Sequence, residues 1–123
     1  MARGPNIFKP FIPSSATITI NEFASVSAVA TGVLTSIVNY TVPVGKTLYL
    51  NLIEYSGENI ARFDVLINAT LQARRVTYFS GPLSDEFIFS SLRVPTGQTV
   101  ELKIIHVRPE VGDFDGRISG LLV

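Results

Sequence analysis

Apolar and polar residues alternate along most of this chain from residue 16 onward, and Val, Ile, Leu, Phe and Tyr fill the apolar positions. Gly, Pro, Asn, Ser and Asp separate the alternating runs. A period of two that is broken by turn-forming residues is typical of short antiparallel strands. The pattern predicts strands near residues 16–22, 33–42, 47–55, 60–69, 71–79, 86–94, 99–108 and 114–122. The small residues of 24–32 predict a loop or an extended segment.

One segment of the sequence occurs twice in similar form, because TVPVGKTLYLNL at 41–52 aligns with RVPTGQTVELKI at 93–104. Proline fixes its own φ near the value of the second position of a β-turn, and glycine is favoured at the fourth position. Pro43 with Gly45, and Pro95 with Gly97, therefore predict two type I turns. Each turn would end one strand and start the next.

Each predicted turn is followed by an alternating run with one buried face. The residues predicted on these faces are Leu48, Leu50 and Leu52 in the first copy, and Val100, Leu102 and Ile104 in the second. Further on, Phe63, Asp64 and Ile67 match Phe114, Asp115 and Ile118. A strand–turn–strand–loop–strand unit thus recurs, as expected of a sandwich whose halves pack face to face.

These observations predict an all-β fold, an antiparallel β-sandwich or jelly roll of about eight short strands. The sandwich would be a single domain of residues 16–123, preceded by an extended N-terminal arm at 1–15. A chain of 123 residues is long enough to bury a hydrophobic core of its own.

Composition restricts the function. Ten basic and ten acidic side chains cancel without a long run of either sign, which argues against direct binding of nucleic acid. No stretch reaches the ~18 consecutive apolar residues of a membrane span. Charged residues make up 16% of the chain, against roughly 25% in ordinary soluble domains. A surface so poor in charge suggests that a partner covers part of it.

The N-terminal arm carries four large apolar residues, Ile7, Phe8, Phe11 and Ile12, among prolines. The prolines exclude a helix, and the interruptions exclude the continuous apolar region of a secretory signal peptide. So many apolar groups are unfavourable in a freely solvated tail. We expect the arm to bind a neighbouring subunit; the alternative is that it folds back over its own sandwich.

Candidate catalytic residues are few. The chain has no Cys and a single histidine, His106, which excludes a cysteine zinc site and a Cys–His nucleophile. His106 follows the phase of the buried face of its strand and is expected in the core or at its rim. Two acid pairs are compatible with glycoside hydrolysis: Asp85 with Glu86, which would diverge on a strand, and Asp113 with Asp115, expected in a loop. We expect no enzyme and no cofactor.

Two further charged groups each admit two interpretations. Glu110, Asp113 and Asp115 suit a calcium ion, but acids that cap backbone N–H groups in turns explain them as well, and we predict no metal site. Arg74 and Arg75 either contact an anion or a carbohydrate, or protect an edge strand from further pairing, which we favour.

The segments VPVGKTLYL, RFDVLIN and HVRPEVGDF, within residues 40–120, resemble small β-sandwich proteins of tailed-bacteriophage virions. Those proteins carry a similar VPxGKTLYL opening, a central RF-x-V-x-IN strand and a closing H-x-R-x4-DF segment. The resemblance implies a structural protein without catalytic residues, which decorates the capsid lattice or belongs to tail and baseplate assemblies, often as an oligomer.

We therefore expect a non-enzymatic virion protein, made in the host cytoplasm, that acts as a capsid decoration (cement) protein through its arm and one sandwich face. Its partners would be the major capsid protein or tail proteins and further copies of itself, for example in a trimer. Alternatives are a tail, baseplate or head-fibre subunit and a carbohydrate-binding receptor-recognition module. The rings of the last would be Tyr49, Tyr55, Tyr78 and Phe79, although the chain lacks the Trp that such platforms often use.

Overall fold

The computed structural model describes residues 17–58, 60–77 and 83–123, and within these ranges the regular elements are all strands. The strands are β1 (Ile18–Val29), β2 (Thr35–Thr41), β3 (Leu48–Gly57), β4 (Ala61–Ile67), β5 (Thr70–Val76), β6 (Leu83–Val94), β7 (Thr99–His106) and β8 (Gly112–Leu122). The predicted all-β fold is confirmed. The predicted arm at 1–15 lies outside the described residues. The described part of the chain contains no helix long and apolar enough to span a membrane.

The strands form two antiparallel four-stranded sheets. Sheet 1 has the order β1-β8-β3-β6 and sheet 2 the order β2-β7-β4-β5. Strand β1 pairs with β8, β2 with β7, β3 with β6 and β4 with β5. The chain is therefore one long hairpin rolled into two sheets, which is the topology of a jelly roll.

The repeated Val-Pro-x-Gly segments form the corners where the rolled hairpin passes between the sheets. One corner connects β2 of sheet 2 to β3 of sheet 1, and the other connects β6 of sheet 1 to β7 of sheet 2. The corners lie side by side, since Val42 N–H donates to the Gln98 carbonyl and the Val42 carbonyl accepts from Gly97 N–H, both at 2.9 Å. The repeat thus supplies the same bend to both strands of the hairpin where both must cross.

The turn type predicted from the sequence is wrong. Lys46 N–H bonds to the Pro43 carbonyl at 3.1 Å, so proline occupies the first position of this turn and Gly45 the third. The second corner has the same arrangement, with Pro95 first and Gly97 third. The φ angles of +83° at Gly45 and +77° at Gly97 are typical of the third residue of a type II turn, which requires glycine.

The buried face of β3 changes partway along the strand. Leu48 and Leu50 are fully buried as predicted, but Leu52, also predicted to be buried, is only half-buried, and Ile53 is fully buried instead. The pairing of β3 with both neighbours shifts register between Leu50 and Leu52, and one extra residue in a strand reverses its alternation. The matching face of β7 follows the prediction at Val100, Leu102 and Ile104.

Aromatic rings fill the space between the sheets. Tyr55 of β3 lies against Phe63 of β4, with ring centroids 4.1 Å apart, and against Phe87 of β6 at 5.1 Å. Phe63 also meets Phe114 of β8 edge to face at 6.1 Å. Because Phe63 belongs to sheet 2 and the other three rings to sheet 1, these contacts hold the two sheets together.

Candidate functional site

A shallow depression lies on the outer face of sheet 1, where β1, β8 and β3 run side by side. Its volume is about 160 Å³. The residues that line it are Phe23, Glu54, Tyr55, Ser56, Asp115, Gly116 and Arg117. We refer to it as the sheet 1 depression.

The strand register arranges the side chains of the sheet 1 depression in two rows. Phe23 of β1 lies opposite Arg117 of β8, which in turn lies opposite Glu54 of β3. In the adjacent row, Asp115 of β8 lies opposite Ser56 of β3. Residues two apart on a strand point to the same face, so both rows project away from the core.

The sheet 1 depression combines an apolar wall with polar groups. Arg117 forms an ion pair with Glu54, and Ser56 Oγ donates a hydrogen bond of 3.4 Å to Asp115 Oδ2. The Phe23 ring is 65% exposed. Carboxylate, hydroxyl and guanidinium groups next to an exposed ring are suited to binding a small polar ligand that has one apolar face.

Sequence reasoning missed Phe23, Glu54, Ser56 and Arg117. The first strand was predicted to end near residue 22, which left Phe23 outside it, whereas β1 continues to Val29. A large aromatic residue at an outward position of a strand was the signal in the sequence. The other residues became recognisable as neighbours only once the strand order was known.

A second group of charges lies on the outer face of sheet 2. Asp64 is 4% exposed, and its carboxylate accepts two hydrogen bonds from Arg74, at 2.8 and 3.1 Å, and one from Arg62 at 3.2 Å. Arg74 and Arg75 both lie on β5, which is an edge strand as predicted. Neither is a lone protective charge, however, because Arg75 bonds to Asp85 at 2.9 Å.

Asp85 is the centre of a polar link between the sheets. It accepts hydrogen bonds from Arg75 of sheet 2 and, at 3.0 Å, from the Tyr55 hydroxyl of sheet 1. The hydrogen bond from Arg75 lowers the pKa of Asp85 below its ordinary value. Burial, together with the hydrogen bond to Asp85, raises the pKa of Tyr55 above its ordinary value. Glu86 lies opposite Glu54 on the outer face, so Asp85 and Glu86 diverge as expected.

The carbohydrate platform predicted from the aromatic residues does not form as expected. Tyr55 is only 2% exposed and packs in the core, so the prediction of an exposed stacking ring is wrong for this residue. Tyr49 lies on β3 and is half-buried. Tyr78 and Phe79 fall outside the described residues. The exposed ring on this sheet that lies beside polar groups is Phe23.

His106 is fully buried at the end of β7, in agreement with the core position expected from its phase. Its Nε2 atom lies 2.6 Å from the Val29 carbonyl oxygen, and its ring centroid lies 5.6 Å from that of Phe114. Because a carbonyl can only accept a hydrogen bond, Nε2 carries the proton and donates it. His106 thereby ties the end of β1 to the centre of the sandwich.

The three acids considered for calcium bond to different partners. Asp113 Oδ1 accepts a hydrogen bond of 2.9 Å from the N–H of Ala28, which has φ +54° in an irregularity of β1. Asp115 bonds to Ser56, and Glu110 pairs with Arg108 at 3.4 Å. Asp113 and Asp115 lie on β8 and not in the expected loop. Within the described ranges, no three acid or histidine side chains converge in a way that could hold a metal ion.

Exposed aliphatic side chains cluster on two loops at one end of the sandwich. Val33 and Leu34 of the β1–β2 loop are 52% and 46% exposed, and Val107 and Val111 of the β7–β8 loop are 77% and 58% exposed. The loops are joined by a hydrogen bond of 2.8 Å from Gly32 N–H to the His106 carbonyl. We call this surface the apolar loop end.

No protein-family model matches the chain, and its sequence has no significant match among curated proteins.

Proposed function

We propose that this protein is a non-enzymatic structural component of a tailed-bacteriophage virion, and specifically a capsid decoration protein that stabilises the head lattice. The proposal combines the sequence resemblance with the distribution of apolar surface on the sandwich. A protein that bridges subunits of a lattice needs more than one contact surface, and the described residues offer one such surface at the apolar loop end.

The observation that carries the proposal is that β1 starts at the end of the sandwich opposite the apolar loop end. The arm leads into β1 at Ile18, which pairs with Leu122 near the corners. The other end of β1, at Val29, pairs with Gly112 beside the β7–β8 loop. A sandwich with an apolar surface at one end, and with an apolar segment of sequence joined to the strand end at the other, is suited to bridging two subunits.

The outer face of sheet 2 fits a role facing solvent or a polar neighbour. Its charges are paired within the protein, as in the contacts of Asp64 with Arg62 and Arg74 and of Lys103 with Glu101. Paired surface charges add little stability but keep a face soluble. We therefore place the lattice contacts at the arm and the apolar loop end and not on sheet 2.

The jelly roll itself supports both a virion role and the carbohydrate-binding alternative, because capsid and lectin domains share it, and fold alone does not decide function. A tail, baseplate or head-fibre subunit is the nearest alternative within the virion.

Quantitative mass spectrometry of purified virions of the phage that encodes this chain tests the location. We expect the protein in every preparation at a fixed ratio to the major capsid protein, and cryo-electron microscopy should place it on the head. A protein absent from washed virions contradicts the proposal. A protein found only in tails supports the tail alternative against decoration of the capsid.

A further inference from the structure

We propose that the sheet 1 depression is a binding site for one neutral sugar ring of a larger glycan, with Phe23 as the stacking surface. This proposal does not depend on the protein's place in a virion. Its stacking ring, Phe23, is not among the aromatic residues that the sequence suggested as a platform.

The position of Phe23 is the first argument. The ring lies on an outward position of β1 and is 65% exposed, so it contributes little to the core. Burying a phenylalanine side chain is worth ~1.5–3 kcal/mol, and an exposed one forgoes most of that stabilisation. A ring left at the wall of a depression is explained if a ligand covers it. Pyranose rings present a face of C–H groups that packs against aromatic rings.

The polar lining is the second argument. Glu54, Ser56, Asp115 and Arg117 meet on two adjacent strands, β3 and β8, and they supply both acceptors and donors. Vicinal sugar hydroxyls are recognised by planar groups that make two hydrogen bonds at once, such as carboxylates and guanidinium. Because the side chains are fixed by strands and an ion pair, little ordering is required on binding.

Size and charge define the class of ligand. A volume of about 160 Å³ is well below the ~300–1,000 Å³ of sites that enclose drug-sized molecules, so the depression suits a single ring with the rest of the glycan in solvent. Two carboxylates face one guanidinium, which leaves the lining negative and disfavours sulfated or sialylated sugars. Neutral hexoses and N-acetylhexosamines fit this charge.

Titration of the ¹⁵N-labelled protein with methyl glycosides of glucose, galactose, mannose and N-acetylglucosamine tests the site by amide chemical shifts. We expect at least one of them to shift the amides of Phe23, Glu54, Ser56 and Arg117 with a dissociation constant near ~1 mM, typical of a weak single-site contact. Sialic acid, used as the charged comparison, should bind at least tenfold more weakly.

Three variants separate a sugar site from chance binding. Phe23→Ala should abolish the shifts, and Phe23→Trp, which keeps a stacking ring, should retain or strengthen them. Asp115→Asn should weaken binding by about tenfold, because hydrogen bonds to charged groups are the stronger ones. Ile88→Ala is the matched control, since Ile88 is 75% exposed on β6 and does not line the depression.

The proposal is overturned if none of the glycosides shifts these amides at up to about 50 mM, far above the ~1 mM expected for a weak specific contact. Shifts that persist in Phe23→Ala also contradict it. If Phe23→Ala changes self-association in sedimentation while no glycoside binds, the depression is a contact between protein copies and the sugar assignment is wrong.

Discussion

The rings of Phe63 and Phe114 meet edge to face between the two sheets, with their centroids 6.1 Å apart and their planes at 69°. The two residues occupy matching positions of the internal sequence repeat. Phe63 lies on β4 of sheet 2, and Phe114 lies on β8 of sheet 1. The repeated units β2–β4 and β6–β8 therefore occupy exchanged sheets, and equivalent residues meet near the centre of the molecule. The internal sequence repeat therefore specifies the shape of the fold.

This contact should be measurable as a coupling energy. We expect Phe63→Leu and Phe114→Leu each to destabilise the protein, and the double variant to lose less than the sum by ~0.5–1.5 kcal/mol, the range of aromatic pairs. Urea unfolding of the four proteins gives the value. Strictly additive losses would show that the rings share only nonspecific burial.

The reversal of the buried face in β3 gives a second prediction. Leu50→Ala and Leu102→Ala remove fully buried side chains and should each lower the free energy of unfolding by ~2–5 kcal/mol. Leu52→Ala is the matched control on the same strand, and its half-buried side chain should cost clearly less. Urea denaturation checks all three. Equal losses at Leu50 and Leu52 contradict the bulge between them.

The β4–β5 turn gives a prediction of increased stability. Asn68 and Ala69 have φ of +51° and +67° and form a two-residue type I′ hairpin turn, in which glycine is preferred at the second position. Ala69→Gly should therefore stabilise the protein by ~0.5–1 kcal/mol, because it relieves a left-handed alanine.

Gly45→Ala is the opposite control for the same measurement. A Cβ at Gly45 meets no atom within 4 Å, so only the backbone strain at φ +83° is tested. We expect it to destabilise by ~1 kcal/mol, the usual cost of a left-handed residue with a side chain. Thermal unfolding of Ala69→Gly and Gly45→Ala measures both changes in stability. Opposite signs show that the backbone conformation of the turns, and not side-chain packing, determines these changes.

The hydrogen bonds of Asp85 predict that the free energy of unfolding depends on pH in the acid range. Because Arg75 lowers the pKa of Asp85 in the folded state, this stabilisation is present above the unfolded pKa of ~3.9 and is lost as the pH falls through the lower folded value. Asp85→Asn should flatten the fall in unfolding free energy that the wild type shows as the pH drops below about 4. Urea midpoints across this range test the prediction, and an unchanged acid slope contradicts it.

The Tyr55 hydroxyl predicts the opposite behaviour in alkali. Its pKa is raised by burial, so its contribution is complete below the unfolded pKa of ~10 and is lost as the pH rises beyond that. Tyr55→Phe keeps the ring and should remove this alkaline loss. The same urea midpoints, taken above pH ~10, should fall more steeply for the wild type than for the variant.

The strands could be predicted from the sequence because the alternation of apolar and polar residues with a period of two indicates a strand with one buried face. The bulge in β3 could not, since Leu52 and Ile53 are both apolar and either could fill the core. The repeated Val-Pro-x-Gly segments predicted the corners but not their turn type. The position of proline in a turn depends on which two residues the closing hydrogen bond joins. The burial of Tyr55 could not be predicted either. A buried tyrosine hydroxyl requires a hydrogen-bond partner, and its partner Asp85 lies on a strand distant in sequence.

The sheet 1 depression depended still more on long-range order. Phe23, Glu54 and Arg117 come from three strands that become neighbours only through the jelly-roll order β1-β8-β3. Alternation says nothing about which strands adjoin, and Glu54 points outward only because the bulge in β3 reverses the phase set by Leu48 and Leu50. The strand order, and not the sequence pattern, therefore brings these residues together.

The most direct test of the proposed function is an add-back binding experiment. Heads of the encoding phage, assembled without this protein, are mixed with the purified chain, and the bound copies are counted after sedimentation. A control variant, Ile88→Ser, changes an exposed apolar residue of β6 that belongs to neither the arm nor the apolar loop end.

We predict saturable binding at a fixed number of copies per head. Replacing Ile7, Phe8, Phe11 and Ile12 by serine, or Val107 and Val111 by serine, should weaken binding at least tenfold while circular dichroism stays that of folded sandwich. Ile88→Ser should bind as the wild type does. If the wild-type protein does not bind these heads, or if both surface variants bind them with unchanged affinity, the proposal of a decoration protein attached through its two ends is wrong.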